Sequence, residues 1–152
     1  MAKHSIREAV AGDCDWLAGC AIAMALETEH KHLDPDTVHA GVAAGIADPA
    51  KAHYFVAVDA AGTATGTLML THEWSDWRNG DWWWIQSVYV PPAQRRDGVF
   101  AALYRHVETL ARATPGVIGL RLYVERDNAT AQRTYSALGM DDAGYRIFEA
   151  SF

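Results

Sequence analysis

Val88-Tyr89-Val90-Pro91-Pro92-Ala93-Gln94-Arg95-Arg96-Asp97-Gly98-Val99-Phe100 is the stretch on which the fold turns. It leads from strand-forming residues, through a Pro-Pro stop, into a turn with two arginines, a glycine and a helix start. This arrangement suits an anion. Free backbone N–H groups and the helix dipole face such a turn, and a glycine lets a phosphate reach the backbone. Arg95 and Arg96 add positive charge. Taken alone, the segment could equally be a solvated turn with two surface arginines.

Upstream, Trp82–Val90 reads as a strand, and Asn79-Gly80 before it is a strong short hairpin signal. Thr65–Trp74 and His53–Val58 are joined by the turn Ala60-Ala61-Gly62, so three antiparallel strands follow one another. Before them come a short strand at Lys3–Arg7 and two helices. Asp13 is expected to cap the first, whose apolar stripe is Trp16, Leu17, Cys20 and Met24. Asp34-Pro35 opens the second, with Val38, Val42, Gly45 and Ile46 on one face.

Downstream, Gly98–Ala113 is a helix striped by Val99, Leu103, Val107 and Leu110. A strand at Val117–Val124, a helix at Asp127–Leu138 stopped by Gly139, and a closing strand at Gly144–Glu149 complete the chain. The order β-α-α-β-β-β-α-β-α-β predicts an α+β fold over residues 1–152 as one domain. Its mixed, mostly antiparallel sheet carries helices on both faces. The crossover from Val90 to Val117 should make a parallel pair.

Composition narrows the function. A chain of 152 residues, half of them hydrophobic, can bury about 70% of its unfolded surface. Thirteen basic against nineteen acidic residues give a net charge of −6, which argues against nucleic acid as a partner. The apolar runs Cys20–Leu26 and Trp82–Ile85 are far shorter than the ~20 residues of a membrane span. The first residues, Met1 to Ile6, contain no apolar leader, so a cytoplasmic location is expected. Cys14 and Cys20, about 9 Å apart by helical rise, are too distant to bridge and read as small hydrophobes.

Arg95-Arg96-Asp97-Gly98-Val99-Phe100 resembles the Arg/Gln-x-x-Gly-x-Gly/Ala loop of the GNAT acetyltransferase superfamily, which cradles the pyrophosphate of acetyl-coenzyme A. Asn128-Ala-Thr-Ala131-Gln-Arg-Thr-Tyr135-Ser-Ala-Leu-Gly139-Met140 is similar to that family's Asn-x-x-Ala-x-x-x-Tyr-x-x-x-Gly-Phe signature. The element order agrees over essentially the whole chain. Two departures stand out. Phe100 takes the place of a small residue, and Asp97 puts a carboxylate where a phosphate would be repelled, although it could cap the helix that follows.

The resemblance implies a sheet in which Ile85–Val90 splays from Leu120–Val124. It implies that Val88, Tyr89 and Val90 pair with the pantetheine arm of acetyl-coenzyme A. Arg95, Arg96, Asp97, Gly98, Val99 and Phe100 would then surround the pyrophosphate, with Asn128 and Tyr135 at the thioester end. Tyr135 falls where the family's thiolate-protonating tyrosine stands; as a residue it also reads as a core aromatic. Relatives place a glutamate near Gln86, but a glutamine cannot accept a proton. Glu27, Glu73, His72 and Glu125 are therefore the candidates for a general base, alongside a water chain or an amine that arrives neutral.

Five of six tryptophans fall within Trp74–Trp84. Strand alternation sends Trp82 and Trp84 to one face and Trp83 to the other. Trp74, Trp84, Gln86 and Glu27 are the candidate acceptor residues, their aromatic faces and nearby carboxylates suiting a cationic amine. Sheet packing and a homodimer contact are the alternative use for such aromatics. Glu27-Thr28-Glu29-His30-Lys31-His32 lacks a further ligand pair at metal-binding spacing, so no metal is expected. The expected activity is transfer of acetyl from acetyl-coenzyme A to a primary amine of a small molecule, directly, in a ternary complex. The rival expectations are an acyl-coenzyme A binding module without turnover and an acetyltransferase acting on protein lysines or N-termini.

Overall fold

The computed structural model describes residues 3–152, so Met1 and Ala2 of the leader reading lie outside it. The elements are β1 (Ser5–Glu8), α1 (Cys14–Glu29), α2 (Pro35–Ala47), β2 (His53–Val58), β3 (Ala64–Ser75), β4 (Gly80–Tyr89), α3 (Val99–Ala113), β5 (Val117–Leu122) and α4 (Ala129–Ala137). One sheet runs in the order β1-β2-β3-β4-β5. The first three pairings are antiparallel, and β4–β5 is parallel, as the crossover requires.

Alternation along the strands gives the sheet two apolar faces. Phe55, Leu68, Leu70 and Ile85 meet Val99, Leu103 and Val107 of α3 in the larger core. Val56 faces the other way, against Leu17 and Ala18 of α1 and Val42 of α2. Leu103 is wholly buried, so its truncation to alanine would cost about 2–5 kcal/mol. Leu110, expected on the same stripe, lies partly in solvent, and Ala111 takes the inward position.

Local signals act much as expected at α2, where the Asp34 carboxylate accepts from the Thr37 N–H at 2.9 Å and Pro35 occupies the first turn. Asp13 does otherwise. Its carboxylate takes the Val10 N–H and both terminal nitrogens of Arg7, bracing the turn before α1 and leaving the α1 start without a side-chain cap. Asn79-Gly80 also works differently from a two-residue hairpin. Ser75 pairs with Gly80 around a four-residue loop, with Asn79 in the left-handed region at φ 47°. Gly80 is required by crowding: a Cβ there would stand 2.5 Å from the Ile118 side chain and 2.8 Å from the Gly116 carbonyl. Cys14 and Cys20 are free and buried, and burial pushes the Cys20 thiol up to about 11.

The expected closing strand at Gly144–Glu149 does not form. Residues 141–152 form no helix or strand and are exposed, and among the described residues the sheet ends at β5. The helix stop before them is as expected: Gly139 adopts φ 95°, and the Met140 N–H returns to the Tyr135 carbonyl. Among the described residues, no helix is long and apolar enough to cross a membrane.

Candidate active site

Pairing of β4 with β5 runs from Asp81↔Val117 to Ile85↔Leu122 and then stops. The cause lies in β4. Met69 pairs with Gln86 but Thr67 with Tyr89, so β4 holds one residue more than β3 over this interval. The extra residue falls at a bulge where Ser87 adopts φ 50°, an uncommon conformation for a side-chain-bearing residue. Beyond the bulge Gln86–Tyr89 has no β5 neighbour. The divergence therefore starts later than expected, since Leu120, Arg121 and Leu122 still pair with Trp83, Trp84 and Ile85.

Next to the divergence lies a cleft of about 460 Å³, lined by Val90, Arg95, Arg96, Gly98 and Phe100 on one side and by Thr134 and Ala137 of α4 on the other. Its floor is the start of α3. The first α3 N–H to reach a helical acceptor is that of Ala102, to the Gly98 carbonyl at 3.0 Å. Among the described residues the N–H groups of Val99, Phe100 and Ala101 have no acceptor, which suits them to a ligand. Arg96 at φ 63° and Gly98 at φ 78° curl the preceding loop, a geometry that makes anion-binding concavities. A Cβ on Gly98 would meet no protein atom within 4 Å, so the space in front of it is open.

The two departures from the family pattern have structural explanations. Phe100 packs edge-on against Tyr135 at 5.9 Å and tilted on Tyr104 at 6.3 Å, filling the seam between α3 and α4. Asp97 is not a cap, for α3 starts at Gly98 without a side-chain hydrogen bond. Its carboxylate is paired with Lys3 and lies 3.3 Å from His4 Nε2, which also approaches the Asp97 carbonyl at 3.2 Å. The hydrogen bond from Lys3 holds the Asp97 carboxyl below the usual carboxylate range. Asp97 is therefore ion-paired and moors the loop to the segment entering β1.

Arg95 is turned toward α1. Its Nε donates to the Val90 carbonyl at 2.9 Å, a terminal nitrogen reaches Glu27 Oε2 at 2.7 Å, and the guanidinium stands 5.7 Å over the Tyr89 ring. The Tyr89 hydroxyl donates to the other Glu27 oxygen at 2.9 Å. Arg95, with help from Tyr89, keeps the Glu27 carboxyl acidic. Glu73 is similarly occupied. Trp84 Nε1 and Arg121 both donate to its Oε1 at 2.9 Å, and the Trp84 hydrogen bond is the main reason its carboxyl stays acidic. Both glutamates are thus poorly matched to proton abstraction near neutrality.

The remaining candidates separate by face. Thr71, Glu73, Trp84 and Gln86 share one face, with Gln86 Nε2 donating to Thr71 Oγ1 at 2.6 Å. His72 and Trp74 point to the α3 side. There His72 stacks between His53 and Trp83, at 5.7 and 6.0 Å. Trp74 sits opposite Asp81 and is 59% exposed, so it cannot wall the same pocket as Trp84. Glu125 accepts the Asp127 N–H at 2.9 Å in the turn before α4. Asn128 Oδ1 caps α4 through the Ala131 N–H at 3.1 Å, and its amide N–H₂ is the group it has to donate to a ligand. Tyr135 is half-buried, and burial alone raises its hydroxyl above the usual tyrosine value.

Several participants escape a sequence reading. Arg121 lies 4.0 Å over the Trp82 ring, which is accommodated because a Cβ on Gly119 would stand only 2.5 Å from that ring. Tyr123, just beyond β5, packs on Trp84 at 4.5 Å. A serine within an aromatic run is a weak signal for the Ser87 bulge; for Arg121 and Tyr123 no motif exists.

Comparison with known proteins agrees with this geometry. Residues 15–140 match the acetyltransferase (GNAT) family model. A solved structure of a possible acetyltransferase from Clostridium difficile 630 is 38% identical, with a TM-score of 0.91 over 99% of both chains. A predicted acetyltransferase with acetyl-CoA from Clostridium acetobutylicum shares the fold at 13% identity, with a TM-score of 0.76 over 97% of this chain and 96% of that one. Ribosomal-protein-alanine N-acetyltransferase from Brucella melitensis biovar Abortus 2308 does so at 15% identity and a TM-score of 0.77, over 98% and 99%. No curated protein sequence is a significant match. With the family model spanning most of the chain and its two sequence motifs meeting at one cleft, this protein belongs to the GNAT family of acetyltransferases.

Proposed function

We propose that this enzyme transfers acetyl from acetyl-coenzyme A to the primary amine of a small molecule, by direct attack in a ternary complex. The observation that carries this is the bulge at Ser87, which frees one edge of β4 beside a cleft floored by unpaired helix N–H groups. Those groups, with Arg96, would hold the pyrophosphate. The backbone of Val88 to Val90 would take the pantetheine arm. Arg95 acts from behind, engaging the Val90 carbonyl while Glu27 and Tyr89 fix its guanidinium.

The acetyl carbonyl carbon forms a bond to the amine nitrogen, and its bond to sulfur breaks. Tyr135, kept protonated by burial, hands its proton to the departing thiolate. The proton lost by the amine leaves through water or before binding, because Glu27 and Glu73 are both held as ion pairs with arginines. This also removes the basis for expecting a cationic acceptor. The face formed by Trp84, Tyr123, Gln86 and Thr71 instead offers an apolar wall with a few hydrogen-bonding groups.

Amine-dependent release of coenzyme A thiol, measured over a panel of small amines and lysine peptides, tests the proposal. Turnover with at least one small amine, above that with peptides, is expected. Coenzyme A binding without thiol release for any amine would indicate a binding module, and preference for peptides would indicate a protein substrate.

A further inference from the structure

His4 stands just before β1, and its side chain is only 4% exposed. Both ring nitrogens are engaged. Nδ1 lies 3.2 Å from the hydroxyl of Thr65 in β3, itself fully buried. Nε2 lies 3.2 Å from the Asp97 carbonyl and 3.3 Å from the Asp97 carboxylate. A carbonyl and a carboxylate can only accept, so Nε2 carries a hydrogen and donates it. Asp97 is 93 positions away in the sequence, in the loop that precedes α3.

That carbonyl is one half of a peptide group whose other half is the Gly98 N–H. The peptide is trans, so its C=O and N–H point in opposite directions. With the carbonyl held by His4, the Gly98 N–H points away from His4. Among the described residues it donates to no backbone carbonyl, and a Cβ on Gly98 would meet no protein atom within 4 Å. The cleft is lined by Arg96, Gly98 and Val99, while the Asp97 carbonyl between them turns to His4. Residue 98 does not set this orientation by itself. Glycine takes φ of either sign at similar cost, so the peptide could turn over and present a carbonyl oxygen in place of the N–H. An oxygen there would repel a phosphate.

We infer that His4 is a positioning residue for the cofactor: by holding the Asp97 carbonyl, it keeps the Gly98 N–H aimed at the pyrophosphate. The inference rests on the reading of this loop as the pyrophosphate site. Thr65 steadies the ring from its other nitrogen, so the hold passes from β3 through His4 to the loop. Lys3 acts differently, since it pairs with the Asp97 carboxylate and so grips the side chain instead of the backbone.

Two substitutions at His4 separate the hydrogen bond from the space it fills. His4→Gln can put an amide N–H₂ where Nε2 stands; His4→Asn is one methylene shorter and cannot reach the carbonyl. Calorimetry with coenzyme A should show wild-type affinity for His4→Gln and roughly three- to tenfold weaker binding for His4→Asn, the range one hydrogen bond supplies. Asp97→Asn keeps the carbonyl contact and should lose less than His4→Asn. In the wild type, which needs no variant to fold, the Gly98 amide proton should shift strongly downfield when coenzyme A is added. Wild-type affinity in His4→Asn, an equal loss in His4→Gln, a larger loss in Asp97→Asn, or a Gly98 amide indifferent to coenzyme A would each overturn the inference. Gly98→Val tells the two failures apart. If it abolishes binding while both His4 variants bind normally, the inference about His4 alone is wrong; if it binds normally, the loop is not the pyrophosphate site and the inference falls with that reading.

Discussion

Replacing Gly98 separates backbone strain from ligand contact, because the structure supplies a matched control. Gly98 has φ 78° and Gly62, in the turn between β2 and β3, has φ 82°; neither would bring a Cβ within 4 Å of a protein atom. An alanine forced into the left-handed region costs about 1–2 kcal/mol. For a chain of this length that corresponds to a melting temperature lower by roughly 2–8 °C. Gly98→Ala and Gly62→Ala should therefore lose similar stability, as judged by thermal unfolding without ligand. Coenzyme A affinity should divide them. A side chain on Gly98 projects into open space beside the free α3 N–H groups, where the pyrophosphate is placed. Calorimetry should show an affinity at least about tenfold weaker for Gly98→Ala, worth about 1.4 kcal/mol, and none measurable for Gly98→Val. Gly62→Ala should bind as the wild type does. If folded Gly98 variants keep wild-type affinity, or if both alanine variants lose it equally, the pyrophosphate does not lie on this loop.

Three further outcomes follow from the site. Tyr135→Phe retains the edge contact with Phe100, so kcat should fall roughly 10- to 1000-fold with little change in the KM for acetyl-coenzyme A; an unchanged chemical step in single-turnover kinetics would remove the hydroxyl from catalysis. Trp84→Ala should raise the KM for the amine at least severalfold, whereas Trp74→Ala, on the opposite face, should not; equal effects would contradict the facial separation. Asp97→Asn should weaken coenzyme A binding by loosening the loop from Lys3 and His4, reversing the expectation from charge alone. Because the folded state depresses the Asp97 carboxyl, its stabilisation is present above the ordinary carboxylate range and is lost as pH falls through the folded value. The melting-temperature gap between wild type and Asp97→Asn should thus be largest near pH 7 and close below about pH 4; a gap that widens in acid would show that Asp97 does not act through its charge.

What the sequence determined by itself are the features written in neighbouring residues. The Asp34-Pro35 helix start, the Gly139 stop, the alternation of Trp82, Trp83 and Trp84, and the anion loop ahead of α3 depend on local backbone preferences and on periods of two and 3.6 residues. The two motifs also identify a family whose element order fixes the topology through β5. Tertiary structure decided everything that depends on a distant partner. Glu27 and Glu73 look like free carboxylates until Arg95, 68 positions away, and Arg121, 48 away, are brought against them. Asp97 looks like a cap or a repulsive charge until Lys3 and His4 arrive from the other end of the chain. Trp74 and Trp84 are close in sequence, but the pairing of β3 with β4 puts them on opposite faces. The segment at residues 144–149 has the composition of a strand, yet a strand exists only where another backbone accepts its hydrogen bonds. Among the described residues none does, since local composition carries propensity and pairing is a property of two segments at once.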